Sequence, residues 1–265
     1  MKTSRAGVLC LSLSLFTALS VYADGPLFPK SFHLVREIDD SLTGRIVRLD
    51  EYYSGDRVVT VNGARTAVAD YAKQELTEID RAKGTYSVMT FAQLASAQPA
   101  RRASAKSDAK TVIERKGSDR RAGRNVDLVA ADDASASLHA EVAVDQSIAL
   151  SKDAFDVVAG GAFPKSGGAA VDLVRGAAAV KHGRIASNAT ASGESYGLPV
   201  EQTLRWETRG EAVVVTTRVI SVDELLPPAD LTAIPAGARR VEAKALEAQR
   251  IAADSESLVP TRSEH

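Results

Sequence analysis

The chain has 265 residues, 45% of them hydrophobic, enough for one large globular domain or two small ones. Its 33 Lys and Arg against 34 Asp and Glu leave a formal charge of −1, so no overall field attracts a polyanion, and a nucleic-acid role is not expected. Aromatic residues make up 5% with a single Trp, too few for base-stacking or sugar-stacking platforms.

Lys2 and Arg5 form a short basic start, Ala6 to Val21 an apolar run, and Val21-Tyr22-Ala23 a small-residue end. That order is the pattern of an export signal, with cleavage expected after Ala23 and a periplasmic or secreted address. The run falls short of the ~20 residues a membrane span needs and is broken by Ser and Thr, so the chain is not expected to span a membrane. Cleavage also removes Cys10, the sole cysteine, leaving no thiolate nucleophile, disulfide or thiolate metal site.

Strands come next. Phe32, Leu34 and Ile38 alternate with polar neighbours, Arg45 to Tyr53 carries Val47 and Leu49 in alternation, and Arg57 to Val61 is β-branched. Asn62-Gly63 then signals a hairpin. Arg65 to Tyr71, Glu75 to Asp80 and Thr85 to Thr90 follow, separated by connections too short for a parallel crossover, which predicts an antiparallel meander. Thr90 and Gln93 stand at capping-box spacing ahead of Phe91, Leu94 and Ala95, so a short helix is predicted before Pro99.

Residues 98–110 are Ala, Ser, Lys, Arg and Pro without an apolar period and read as a mobile linker. Strands are predicted again at Thr111 to Lys116 and Asn125 to Ala130. Residues 101–124 carry nine Lys or Arg against three acids, and 127–156 seven acids against one Lys, a pattern read as a solvated linker and hairpin tip beside an acidic neighbour rather than a polyanion site. Ser151 can cap a helix that places Phe155, Val158, Ala159 and Ala162 on one face and stops near Gly160-Gly161. A second helix is predicted over 169–182. Leu204 and Trp206 then alternate with charged neighbours, Thr208-Arg209-Gly210 makes a turn, and Ala212 to Val222 is a long β-branched strand. Pro227-Pro228 closes the sheet, Pro235-Ala236-Gly237 turns, and a charged helix from Val241 to Ala253 leads into a disordered tail. The domain plan is a signal over 1–23, one β-rich domain over 24–241, and a charged helix with its tail over 242–265.

Catalytic motifs lack their context. Gly193-Glu194-Ser195-Tyr196-Gly197 matches a nucleophile elbow, yet Pro199 and an alternating strand stand where the elbow's helix belongs. His139-Ala140-Glu141 is half of a zinc-deaminase signature without its cysteine pair. His33, His139 and His182 sit on separate elements, and the glycine pairs at 160–161 and 167–168 match no phosphate or dinucleotide loop. No cofactor or metal is implied, and the chain is not expected to be an enzyme.

Tyr52-Tyr53-Ser54-Gly55-Asp56-Arg57, the run Asp70 to Asp80 and Lys83 to Phe91 resemble the repeated hairpins of secreted bacterial β-rich proteins with a lipoprotein-carrier-like (LolA-like) half-barrel. Gly197-Leu198-Pro199-Val200, the strand to Val222 and Leu231 to Gly237 resemble that family's closing strand and apolar-Pro-Ala-Gly end. The resemblance implies an α+β fold, a curved antiparallel sheet or half-barrel with helices over its concave face. It also implies binding of a hydrophobic small molecule or lipid there. Tyr86, Val88, Phe91, Leu94, Phe155, Val158, Leu204 and Trp206 are the residues expected inside, as core or as ligand contacts. The alternative is a non-catalytic envelope protein that binds a protein partner on its exposed surfaces.

Overall fold

The computed structural model describes residues 25–97, 111–134, 136–160, 169–179, 195–208 and 210–243. Six strands follow one another: β1 (Phe28–Asp40), β2 (Arg45–Gly55), β3 (Arg57–Asn62), β4 (Arg65–Asp70), β5 (Glu75–Asp80) and β6 (Thr85–Thr90). Helix α1 (Phe91–Ala97) leaves β6, and β7 (Val112–Arg121), β8 (Arg124–Asp133) and β9 (Leu138–Leu150) form a second meander. Helices α2 (Lys152–Gly160) and α3 (Ala169–Ala178) precede the long hairpin of β10 (Tyr196–Thr208) and β11 (Glu211–Asp223). A single turn α4 (Ala229–Thr232) and a two-residue strand β12 (Arg239–Arg240) complete the described elements.

All twelve strands form one open, curved sheet in the order β12-β6-β5-β4-β3-β2-β1-β11-β10-β9-β8-β7. Two meanders therefore meet at β1 and β11, which pair from His33↔Asp223 to Asp40↔Val215. Every pairing is antiparallel except that of β12 with β6. Of the expected α+β half-barrel with helices over its concave face, the described residues show the open, curved, nearly all-antiparallel sheet, and the fold is mostly β. Helices are few among the described residues, and α2 and α3 pack against the sheet, α2 on β9 and β10 and α3 on β8, β9 and β10.

Local chemistry explains the hairpins. β2–β3 and β3–β4 turn tightly, with positive φ at Gly55 and Gly63. Asn62 is the last paired residue of β3, opposite Arg65, and the turn proper is Gly63-Ala64, one position later than the Asn-Gly signal suggests. The four-residue turns after β4 and β5 share one device: Asp70 Oδ1 accepts from the Lys73 amide and Asp80 Oδ1 from the Lys83 amide, both at 3.0 Å.

The helix caps are those expected. The Thr90 amide donates to Gln93 Oε1 at 2.8 Å while Thr90 Oγ1 accepts from the Gln93 amide at 3.2 Å, a reciprocal capping box. Ser151 Oγ accepts from the Ala154 amide at 3.2 Å.

Three expectations change. Pro227-Pro228 does not close the sheet, because β12 follows it and pairs with β6. The structure adds β9, a 13-residue strand near the middle of the second half of the sheet for which the sequence reading has no counterpart. The strands predicted at 111–116 and 125–130 extend to Val112–Arg121 and Arg124–Asp133. The second helix is seen from Ala169 to Ala178; its predicted remainder to 182 runs past the described residues, as do the leader over 1–23, the linker over 98–110, the sequence 161–168 and the tail beyond 243.

Candidate functional site

Cross-strand register sorts side chains onto the two faces of the sheet, because directly paired residues share a face. One row runs Val47–Ile38–Thr217–Gln202–Val142–Val129 across β2, β1, β11, β10, β9 and β8. The next runs Asp40–Val215–Leu204–Ala140–Ala131, and beyond it Val213 pairs with Trp206 and Trp206 with Leu138. Leu49 and Arg36 form the row on the other side. This face carries α2, since Arg36 Nη1 donates to the Val158 carbonyl at 2.9 Å.

Burial varies along the face. Under α2 and α3 the core is filled: Phe155, Val158, Val144 and Leu198 have no exposed surface, and Phe155 lies 5.3 Å from the Tyr196 ring. Beside them, Ile38, Val47, Leu49, Leu204, Trp206 and Val215 are half-buried, an apolar band across four strands that the neighbouring elements cover only in part. A half-exposed apolar band is where further burial still gains free energy, about 25 cal/mol per Å² removed from water.

The expected residues divide between the faces. Phe155 and Val158 on α2 and Phe91 on α1 lie in the main core, with Leu94, Leu204 and Trp206 partly buried against it. Tyr86 and Val88 do not join them. Tyr86 pairs with Ile79, Ile79 with Thr66, Thr66 with Val61, Val61 with Asp50 and Asp50 with Val35, which puts the β6 pair on the opposite face. Of the eight, Leu204 and Trp206 belong to the band, joined there by Ile38, Val47, Leu49 and Val215.

Beside the band, on the same face, sits a buried polar cluster. Arg36 Nε lies 2.9 Å from Glu51 Oε2, Arg36 Nη2 is 3.4 Å from the Tyr53 hydroxyl, and that hydroxyl donates to Glu51 Oε2 at 3.1 Å. Burial alone lowers the pKa of the Arg36 guanidinium, but Glu51 and then Tyr53 outweigh it and raise the net value. Burial first, and Glu51 second, push the Tyr53 phenol well above its ordinary range. Arg36 therefore stays charged and Tyr53 stays a donor at neutral pH.

A second buried carboxylate has a local role. Asp145 is ion-paired to Arg124 and accepts from the Ser147 amide at 2.8 Å and its hydroxyl at 2.6 Å. Burial raises its pKa, the bonds from Ser147 and Arg124 lower it, and the net shift is downward.

Ser195 stands directly before β10, so the glycine-serine pattern enters an antiparallel strand instead of a strand-to-helix elbow. His139 Nδ1 lies 2.7 Å from Asp132 Oδ1 and Nε2 3.6 Å from Glu141 Oε1. Among the described residues no three His, Cys, Asp or Glu side chains are grouped to hold a metal ion. None of their helices is long and apolar enough to cross a membrane.

No family model and no curated protein matches the chain. Among solved structures, an uncharacterised conserved protein from Thermus thermophilus superposes with a TM-score of 0.42 at 8% identity, over 80% of this chain and 90% of its own. PNGF-II gives 0.35 at 13% identity over 85% of this chain and 33% of its own. A chain of the Pseudomonas aeruginosa MucA/MucB complex gives 0.31 at 15%, over 79% and 56%. The chain thus spans a third of the length of one of these and about half of another. With each TM-score below 0.5, these likenesses fix neither family nor function.

Proposed function

We propose that the chain is an exported cell-envelope protein that binds a hydrophobic ligand, a lipid or acyl chain, along the apolar band. In this reading the band lies on the concave side of the sheet, beside the helices, and the protein is a carrier without catalytic activity. The observation that carries it is the half-buried set Ile38, Val47, Leu49, Leu204, Trp206 and Val215, contiguous in register beside a filled core. Support for export comes from the basic, apolar and small-residue order of the first 23 residues.

Each methylene laid on such a band contributes about 0.8 kcal/mol, or roughly a fourfold gain in affinity. Displacement of an apolar fluorescent probe by fatty acids of increasing length should therefore improve several-fold per methylene until the band is covered. Trp206→Ala should weaken binding in a protein that remains folded. Native mass spectrometry of the protein purified from a periplasmic extract should show lipid adducts. Absence of both probe binding and lipid adducts in folded protein would remove this reading. The second reading, an envelope protein that docks a protein partner, is favoured by Leu42 and Ile46. These stand 63% and 64% exposed on the β1–β2 hairpin, at the same end of the sheet as the band.

A further inference from the structure

The opposite face of β7–β10 carries a groove of about 260 Å³, below the usual size of small-molecule pockets but adequate for one or two side chains. Its floor follows from sequence. Leu128 pairs with Ala143 and Ala130 with Glu141, and the two alanines leave a hollow between larger neighbours. On the edge side, Gly117 pairs with Leu128 at a bulge of β7, and a Cβ placed on it would meet open space. Lys116 forms one wall, its ammonium paired to Glu114 at 2.6 Å.

The rim carboxylates differ in compensation. Glu201 is flanked by Arg121 at 3.3 Å and Arg218 at 3.7 Å. Glu141 is 61% exposed, and its ion-pair partner among the described residues is the His139 ring at 3.6 Å, which it shares with Asp132. Glu141 and Ala143 lie two residues apart on β9, so along the strand their side chains are about 6.6 Å apart on one face.

We propose that this groove docks an extended segment of a partner protein carrying a basic residue two positions from a medium-sized apolar one. The two side chains of such a segment point to the same side at the same ~6.6 Å spacing. The apolar group lies on Leu128, Ala130 and Ala143, and the cation meets Glu141. The site is on the face opposite the apolar band and is independent of the carrier reading.

The test uses the full chain, isotope-labelled, titrated with the peptide acetyl-Thr-Lys-Thr-Leu-Thr-amide. Saturable NMR shifts confined to Gly117, Ala130, Glu141, Ala143 and their neighbours are expected. Glu141→Gln should weaken binding about tenfold, and Ala143→Leu, which fills the floor, should abolish it. Replacing the peptide lysine by glutamate should abolish it as well. If Ala143→Leu does not fold, Glu141→Gln and the glutamate peptide still decide. The proposal is overturned by shifts that do not saturate at millimolar peptide, by shifts mapping elsewhere, or by equal binding of the lysine and glutamate peptides.

Discussion

Single residues carry the steepest consequences where charge is buried. Arg36 and Glu51 are both buried, so removing one leaves the other uncompensated in the interior, at a cost of about 3–5 kcal/mol. Glu51→Gln and Arg36→Met should each lose stability of that order in denaturant titration. The double variant Arg36→Met/Glu51→Leu should lose less than the two single losses together, because no charge remains stranded. Asp145 sets a pH dependence. Its folded pKa lies below its unfolded value, so the stabilisation is present above about pH 4 and is lost as pH falls through the lower folded pKa. Asp145→Asn should destabilise the protein at pH 7, and the gap from wild type should narrow as pH falls below 4. Close packing gives a third case. A methyl group at Gly197 would stand 2.5 Å from Val144 Cγ1 and 3.0 Å from the Asp145 carbonyl, where β10 and β9 shift register. Gly197→Ala is expected to cost about 1–3 kcal/mol by overpacking, measurable as a lowered Tm.

Elements show which parts of the fold a sequence exposes. The β7–β8 hairpin turns on Ala122 and Gly123, both at positive φ, a geometry that asks for Asn-Gly. Ala122→Asn should therefore stabilise the protein by about 0.5–1 kcal/mol, and a Tm unchanged or lowered would contradict the turn assignment. The first meander is legible because its short strands alternate and its turns carry Gly or Asp at the required places. β9 is not. Val142, Ala143, Val144 and Asp145 are buried in succession, so over these four residues the period-2 signal disappears. The candidate site is half legible for a related reason. Leu204 and Trp206 announce an apolar face within one strand. Their union with Ile38, Val47, Leu49 and Val215 depends on register between strands far apart in sequence, which no local pattern encodes. Tyr86 and Val88 show the converse, an apolar stripe that marks a strand face without telling which side of the sheet it takes.

At the scale of the molecule, the open sheet of twelve strands formed by the described residues has two edges, and an edge strand offers unpaired amides and carbonyls to other chains. The two ends are treated differently. β7 is blunted by its bulge at Lys116 and by alternating charge, with Lys116 2.6 Å from Glu114 and Arg121 2.5 Å from Asp119. β6 is instead covered by the chain itself. After β11 the backbone passes α4, which packs on β4, and Arg81 Nη2 donates to the Asp230 and Leu231 carbonyls at 2.5 and 3.0 Å. β12 then lies parallel to β6, with the Arg239 amide donating to the Gly84 carbonyl and the Val241 amide to that of Tyr86, both at 2.8 Å. Arg239→Pro removes the first of these donors and cannot be accommodated in the ladder. The sheet should stay folded, because its main core lies across other strands. Hydrogen exchange should rise along 229–241 and β6, and light scattering should reveal self-association that grows with concentration. Unchanged protection together with a monodisperse monomer would show that β12 is dispensable and that the β6 edge is protected by something else.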